Sequence, residues 1–247
     1  MTSSDLPTPP PAPPPPSSAA PAPAPPAPER PWGASRALLG IVILIVAASI
    51  EVSVVSAFGD VKTLAGKLVL QAMLATTLIG VAFALAGADG RPVAPAALGL
   101  RRPRSSPVRY AVIGYAVYFA LILVYASFVH PHQKDLTRSL GFGHGIGVSI
   151  LVGLLIVVAA PASEEIFFRG FLFGGLRRSL PFAAAALISG AIFGAFHYTG
   201  PHSLTVLPQL AALGVILAWV YERSGSIYPT IALHVLNNAL AFAVLTS

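Results

Sequence analysis

Apolar residues run through this chain in long unbroken blocks, with little period-three or period-two alternation. A bilayer core about 30 Å thick needs roughly 20 helical residues to cross. The blocks after Trp32 predict spans at about 37–58, 66–88, 110–130, 147–163, 181–198, 204–222 and 227–246. A further apolar helix is predicted at about 164–178, interrupted by Glu and Arg and preceded by Pro161. The blocks are rich in Ala, Leu, Val and Ile with internal Gly, which suits helices in lipid. Nothing alternates as a membrane barrel strand does. No internal repeat stands out, so an inverted-repeat transporter has no direct support. The expected fold class is all-α, a polytopic transmembrane bundle of about seven to eight membrane helices.

Composition sharpens this reading. Hydrophobic residues make up 55% of the 247 and charged residues 10%, where a soluble domain carries roughly a quarter charged. An ordinary water-soluble enzyme is excluded. Cys is absent, which excludes a disulfide framework, a thiol nucleophile, Cys-ligated zinc and Cys lipidation. Residues 1–33 stand apart, holding 14 of the 24 prolines. They read as a disordered Pro/Ala-rich tail or tether, with docking to a partner as the alternative. They do not read as a secretory signal, having neither a basic start nor an apolar stretch. Residues 34–247 then form the helical membrane domain.

The net charge of +6 reads as a topology signal, with no nucleic-acid partner implied. With seven crossings, one side receives Arg30, Arg36, Arg91, Arg101, Arg102, Arg104, Arg109, Arg169, Arg177, Arg178 and Arg223. The other receives Lys62, Lys67, Lys134 and Arg138. The positive-inside rule puts the N-terminal tail in the cytoplasm, and the 101–109 cluster favours anionic headgroups.

Ionisable groups inside apolar blocks are functional candidates, because lipid penalises them. Three constellations qualify. The first is Ser163-Glu164-Glu165-Ile166-Phe167-Phe168-Arg169-Gly170. Glu165 and Arg169 have the i,i+4 spacing of a helical ion pair. Glu164, about 100° away around the helix, is left to face another surface. A carboxyl in a semi-apolar cavity suits proton transfer near neutral pH. The plainer reading is a helix-start carboxylate in a structural salt bridge, with Ser163 as N-cap.

The second is Phe193-Gly194-Ala195-Phe196-His197, and the third His234-Val235-Leu236-Asn237-Asn238. Phe193 and His197 share a helix face, as do His234 and Asn238. Structural alternatives are a hydrogen-bonded interfacial His and interhelical bonding by Asn. Gly190 with Gly194, and Gly170 with Gly174, are spaced for close helix approach.

Taken in order, EExxxR, FxxxH and HxxxN in membrane sequence resemble the CPBP family of intramembrane proteases. That family includes the type II CAAX prenyl endopeptidases and bacteriocin-processing or Abi-type proteins. The resemblance covers about 90–245, including Leu98-Gly99-Leu100-Arg101-Arg102 and Gly225-Ser226-Ile227-Tyr228-Pro229. It implies Glu164, His197, His234 and Asn238 as catalytic residues, supported by Glu165 and Arg169. It implies an endopeptidase acting on a membrane-associated peptide or protein at the bilayer. Its members are described both as metalloproteases and as metal-independent glutamate proteases. In one mechanism Glu164 activates water, His197 places it, and His234 and Asn238 bind the oxyanion. In the other, Glu164, His197 and His234 hold zinc with an open water position, although HExxH is absent. The alternatives are a non-proteolytic bacteriocin-immunity scaffold and a proton-coupled transporter. The Pro/Ala tail suggests a bacterial inner membrane.

The remaining polar residues carry smaller expectations. Glu51 reads as a mid-span hydrogen-bond partner or cavity residue, and Asp60 and Glu222 as solvated or lipid-interface acids. His130, His132, His144 and His202 read as loop residues, and Trp219, Tyr221 and Tyr228 as interface anchors. One tension remains. Counted from the same side, His197 lies about 24 Å and His234 about 10 Å into its span. One site requires tilt, an earlier start, or a re-entrant 148–178 segment broken at Pro161.

Overall fold

The computed structural model describes residues 31–87, 91–104, 106–129, 143 and 145–246. The predicted tail, apart from Pro31, Trp32 and Gly33, lies outside these residues, as do His130, His132 and His144. Among the described residues the chain forms seven helices. They are α1 (Ala34–Phe58), α2 (Leu64–Ala86), α3 (Pro107–Phe128), α4 (Ile146–Leu176), α5 (Phe182–Phe196), α6 (Leu207–Ser224) and α7 (Tyr228–Thr246). Helices α1 to α4 are long and apolar enough to cross a membrane. Their outer faces carry exposed Leu39, Val42, Ile45, Val112 and Leu123. Burial is scarce along the first three. Such surfaces are stable only against lipid, and the chain is an integral membrane protein.

Helix α4 is the centre, packed against α1, α2, α5, α6 and α7. Every residue from Ile166 to Leu176 is buried, as expected of a helix that is apolar all round. Phe167 meets Phe168 and Phe171 with ring centroids 5.2 and 5.6 Å apart. The sequence predicts two elements here, divided before Glu164. The fold makes one, because the helix widens twice into π-turns, at Leu155–Ala159 and Ile166–Phe173. Proline lacks the N–H of a regular turn, and the first wide turn absorbs that defect without a break. Ser163 is therefore not an N-cap. It lies inside α4, and its hydroxyl donates to the Ala160 carbonyl at 2.9 Å.

Helices α5 and α6 approach closely through glycines. A Cβ on Gly190 would stand 2.7 Å from Val215 and 2.8 Å from the Ala211 carbonyl. Gly194 would meet the Leu207 carbonyl at 2.8 Å. Gly170 faces the Leu98 carbonyl instead of a long helix.

Two segments far apart in sequence clasp one end of the bundle. Arg101 Nε donates to the Gly225 carbonyl at 2.7 Å, and Ser226 Oγ to the Arg101 carbonyl at 2.6 Å. The Ile227 N–H donates to the Gly99 carbonyl and the Arg104 N–H to the Ser224 carbonyl. Tyr221 is consequently core, not an interface anchor: it is 1% exposed and packs edge-on to Phe173. Trp219 is half-buried against Tyr110, while Tyr228 is exposed. Glu222 pairs with Arg177 at 2.8 Å near the same end. Trp32 belongs to the packed body: it is fully buried, and its indole N–H donates to the Phe171 carbonyl at 2.9 Å.

Candidate active site

Three helices supply the side chains. Glu164 and Glu165 lie between the two wide turns of α4. His197 follows the last residue of α5, and His234 sits in the second turn of α7. Adjacent positions on α4 point in different directions, and the two carboxylates have different partners.

Glu165 is fully buried. Its Oε1 accepts from Arg169 Nη1 at 2.8 Å and faces His234 Nδ1 at 3.0 Å. Arg169 is also fully buried, with Nη2 on the Gly214 carbonyl at 3.3 Å and its guanidinium 4.3 Å over the Phe193 ring. The predicted i,i+4 pair is formed. It ties α4 to α6 and α7 and gives the α7 histidine a fixed ring orientation.

Glu164 faces outward from that pair. Its Oε2 lies 3.9 Å from His197 Nε2 and 3.8 Å from His234 Nε2. That oxygen is buried and has no hydrogen-bond partner. Both separations exceed a direct hydrogen bond and suit one shared water. The other ring nitrogens are occupied. His197 Nδ1 faces the Phe193 carbonyl at 2.8 Å. A carbonyl only accepts, so Nδ1 carries the proton and, in the neutral ring, Nε2 presents a lone pair toward Glu164. His234 Nδ1 faces Glu165 in the same way. His197 is about a third exposed, while His234 is buried, so the site opens on the His197 side.

The fold thus brings Glu164, His197 and His234 to one point. Residue counting assumes equal starting depths and no tilt, and their meeting on one oxygen shows that these assumptions fail here. Asn238 lies one turn beyond His234, but its amide donates to the Ile156 carbonyl of α4 at 3.0 Å. Its oxygen accepts from Asn237 at 3.4 Å. Ile156 is a residue that sequence reading missed. The signal was Pro161, five residues on.

The same donor set bears on zinc. Catalytic zinc binds its protein ligands at about 2.0–2.2 Å. Among the described residues, no group of three or more His, Cys, Asp or Glu side chains gathers tightly enough to hold a metal ion. As placed, Glu164, His197 and His234 are not such a group. Glu51 lies away from this cluster in the chain and accepts a hydrogen bond from Thr77 across α1 and α2.

Known proteins match the stretch of sequence that carries these side chains. Residues 146–240 match the family model described as type II CAAX prenyl endopeptidase Rce1-like. This segment is similar to that family. It contains Glu164, Glu165, Arg169, His197, His234 and Asn238, and so the whole cluster. The chain is 37% identical over 90 residues to "Putative membrane peptidase YdiL" of Bacillus subtilis (strain 168), covering 35% of each protein. It is 30% identical over 136 residues to "Uncharacterized protein YyaK" of the same organism, covering 51% of this chain and 44% of that protein. The chain therefore spans less than half the length of these relatives. No solved structure matches it.

Proposed function

We propose that this protein is an intramembrane endopeptidase that hydrolyses a peptide bond of a membrane-associated protein or peptide. One observation carries the reading: the unpartnered, buried Oε2 of Glu164 faces two imidazole nitrogens from two other helices. The Rce1-like match over the same segment supports it.

In this mechanism a water lies between Glu164, His197 and His234. Glu164 takes a proton from it as the water oxygen attacks the scissile carbonyl. His197 Nε2 accepts the other water hydrogen and fixes the attack direction. His234, oriented through Nδ1 by Glu165, turns Nε2 toward the developing oxyanion and donates to it when the ring carries a proton on both nitrogens. A preorganised donor of that kind is typically worth about 2.7–4 kcal/mol. Collapse breaks the C–N bond, and Glu164 returns its proton to the leaving amine. The arginine-rich end faces the cytoplasm of a bacterial inner membrane, with the N-terminal tail on the same side.

The test is cleavage of membrane-anchored peptides by the purified protein in proteoliposomes, compared with Glu164→Gln. Cleavage lost in the variant at equal protein level supports the proposal. Equal activity of the two proteins, or proton flux independent of peptide, overturns it in favour of a scaffold or a transporter.

A further inference from the structure

We propose that Asn238 is a positioning residue that holds open the wide turn at Leu155–Ala159, and so selects Glu164 over its neighbours to face the two histidines. The proposal rests on Glu164 being the working carboxylate. In an α-turn a carbonyl accepts from the N–H four residues on, and in a π-turn from the fifth. The Ile156 carbonyl would thus be served by Ala160 or by Pro161. The Ala160 N–H goes to the Leu155 carbonyl instead, and Pro161 has none. Asn238 supplies the missing donor from α7, its amide nitrogen 3.0 Å from that carbonyl. Leaving such a carbonyl bare in an apolar bundle is costly.

The consequence falls on register. A π-turn holds one residue more than an α-turn, which rotates everything downstream by about 100°. Adjacent helical positions differ by the same angle. With the first half of α4 held in place, tightening this turn brings Ser163 to the direction that Glu164 now takes. Glu164 in turn swings to the direction of Glu165, away from His197. The donor from Asn238 keeps the extra residue in place. His234 and Asn238, one turn apart on α7, then divide the work: one faces the reacting oxygen and the other fixes which glutamate reaches it.

Because the chain has no native Cys, introduced cysteine pairs report this register directly. The substitution H197C would be combined in turn with S163C, E164C or E165C, and disulfide yield measured in membranes. With Asn238 present, the 164–197 pair is expected to dominate. The isosteric Asn238→Asp lacks the donor and is expected to move yield to the 163–197 pair. Pro161→Ala restores a backbone N–H, so Asn238→Asp is expected to change nothing further in that background. Loss of folded protein in Asn238→Asp with recovery in the Pro161→Ala double variant supports the same dependence. An unchanged 164–197 preference in Asn238→Asp overturns the proposal, as does an equal effect of Asn238→Asp in both backgrounds. Crosslinking needs no substrate, so failure of the protease reading shows separately, as cleavage insensitive to Glu164→Gln.

Discussion

Glu165 on α4 holds His234 on α7, with 3.0 Å between Oε1 and Nδ1 and both groups removed from solvent. This contact crosses 69 residues of sequence. It leaves Nε2, on the other edge of the ring, turned to Glu164. One glutamate orients the imidazole, and its neighbour uses it.

The first prediction concerns that division. Glu164→Gln keeps the shape of the site and removes the base. A general base contributes about 10²–10⁴-fold, and cleavage of a membrane-anchored peptide should fall by that order. Thermal unfolding in detergent should barely change. Comparable loss of folding would show Glu164 to be structural.

Arg169 should matter mainly for folding. Removing one partner of a buried ion pair strands the other and costs about 3–5 kcal/mol. Arg169→Met should therefore deplete the folded protein. Arg169→Met combined with Glu165→Gln should recover much of the loss, since no carboxylate is then stranded. Unfolding midpoints of the three proteins check the order, and a double variant worse than the single one would contradict it.

Close packing at the α5–α6 seam makes a third prediction. Any side chain at Gly190 meets the Ala211 carbonyl and Val215 below 3 Å, and overpacking typically costs about 1–3 kcal/mol. Gly190→Ala should lower the unfolding midpoint. Gly80→Ala, with nothing within 4 Å of its Cβ, serves as the control and should not.

The buried indole gives a fourth. Large-to-small substitution of a core aromatic costs about 3–5 kcal/mol, so Trp32→Ala should destabilise strongly. Trp32→Phe keeps most of the stack on Phe171 and loses the indole hydrogen bond, worth about 1 kcal/mol. Equal unfolding midpoints for the two variants would refute this partition.

A fifth prediction separates the two proposed chemistries. With Glu164 as the base, cleavage should survive stringent chelation with metal content near zero. Stoichiometric zinc, with loss of activity on removal and recovery on return, would replace the mechanism given above.

Much of the architecture is legible in the apolar blocks. Helices α1, α2 and α3 begin and end within about three residues of the predicted spans, because lipid demands long uninterrupted stretches. The α4 segment is harder, because Pro161, Glu164, Glu165 and Arg169 interrupt hydropathy where the fold is most buried. Their cost is met by partners on α5, α6 and α7, which no local window contains. The i,i+4 spacing of Glu165 and Arg169 reveals their pairing. It says nothing of His234, which arrives from another helix. Tyr221 shows the same limit. Its composition context suggests an interface, and only the clasp with residues 99–104 explains its burial.

That clasp also sets the mechanics of α7. Hydrogen bonds at Gly225, Ser226 and Ile227 fasten the start of the helix, which makes it a lever with a fixed fulcrum. His234 stands about 9 Å from that fulcrum, and Val244 about 24 Å. A rocking motion that displaces the far end widely moves His234 little more than a third as far. Displacement of the far end by a bulky neighbour therefore leaves the imidazole close to Glu164.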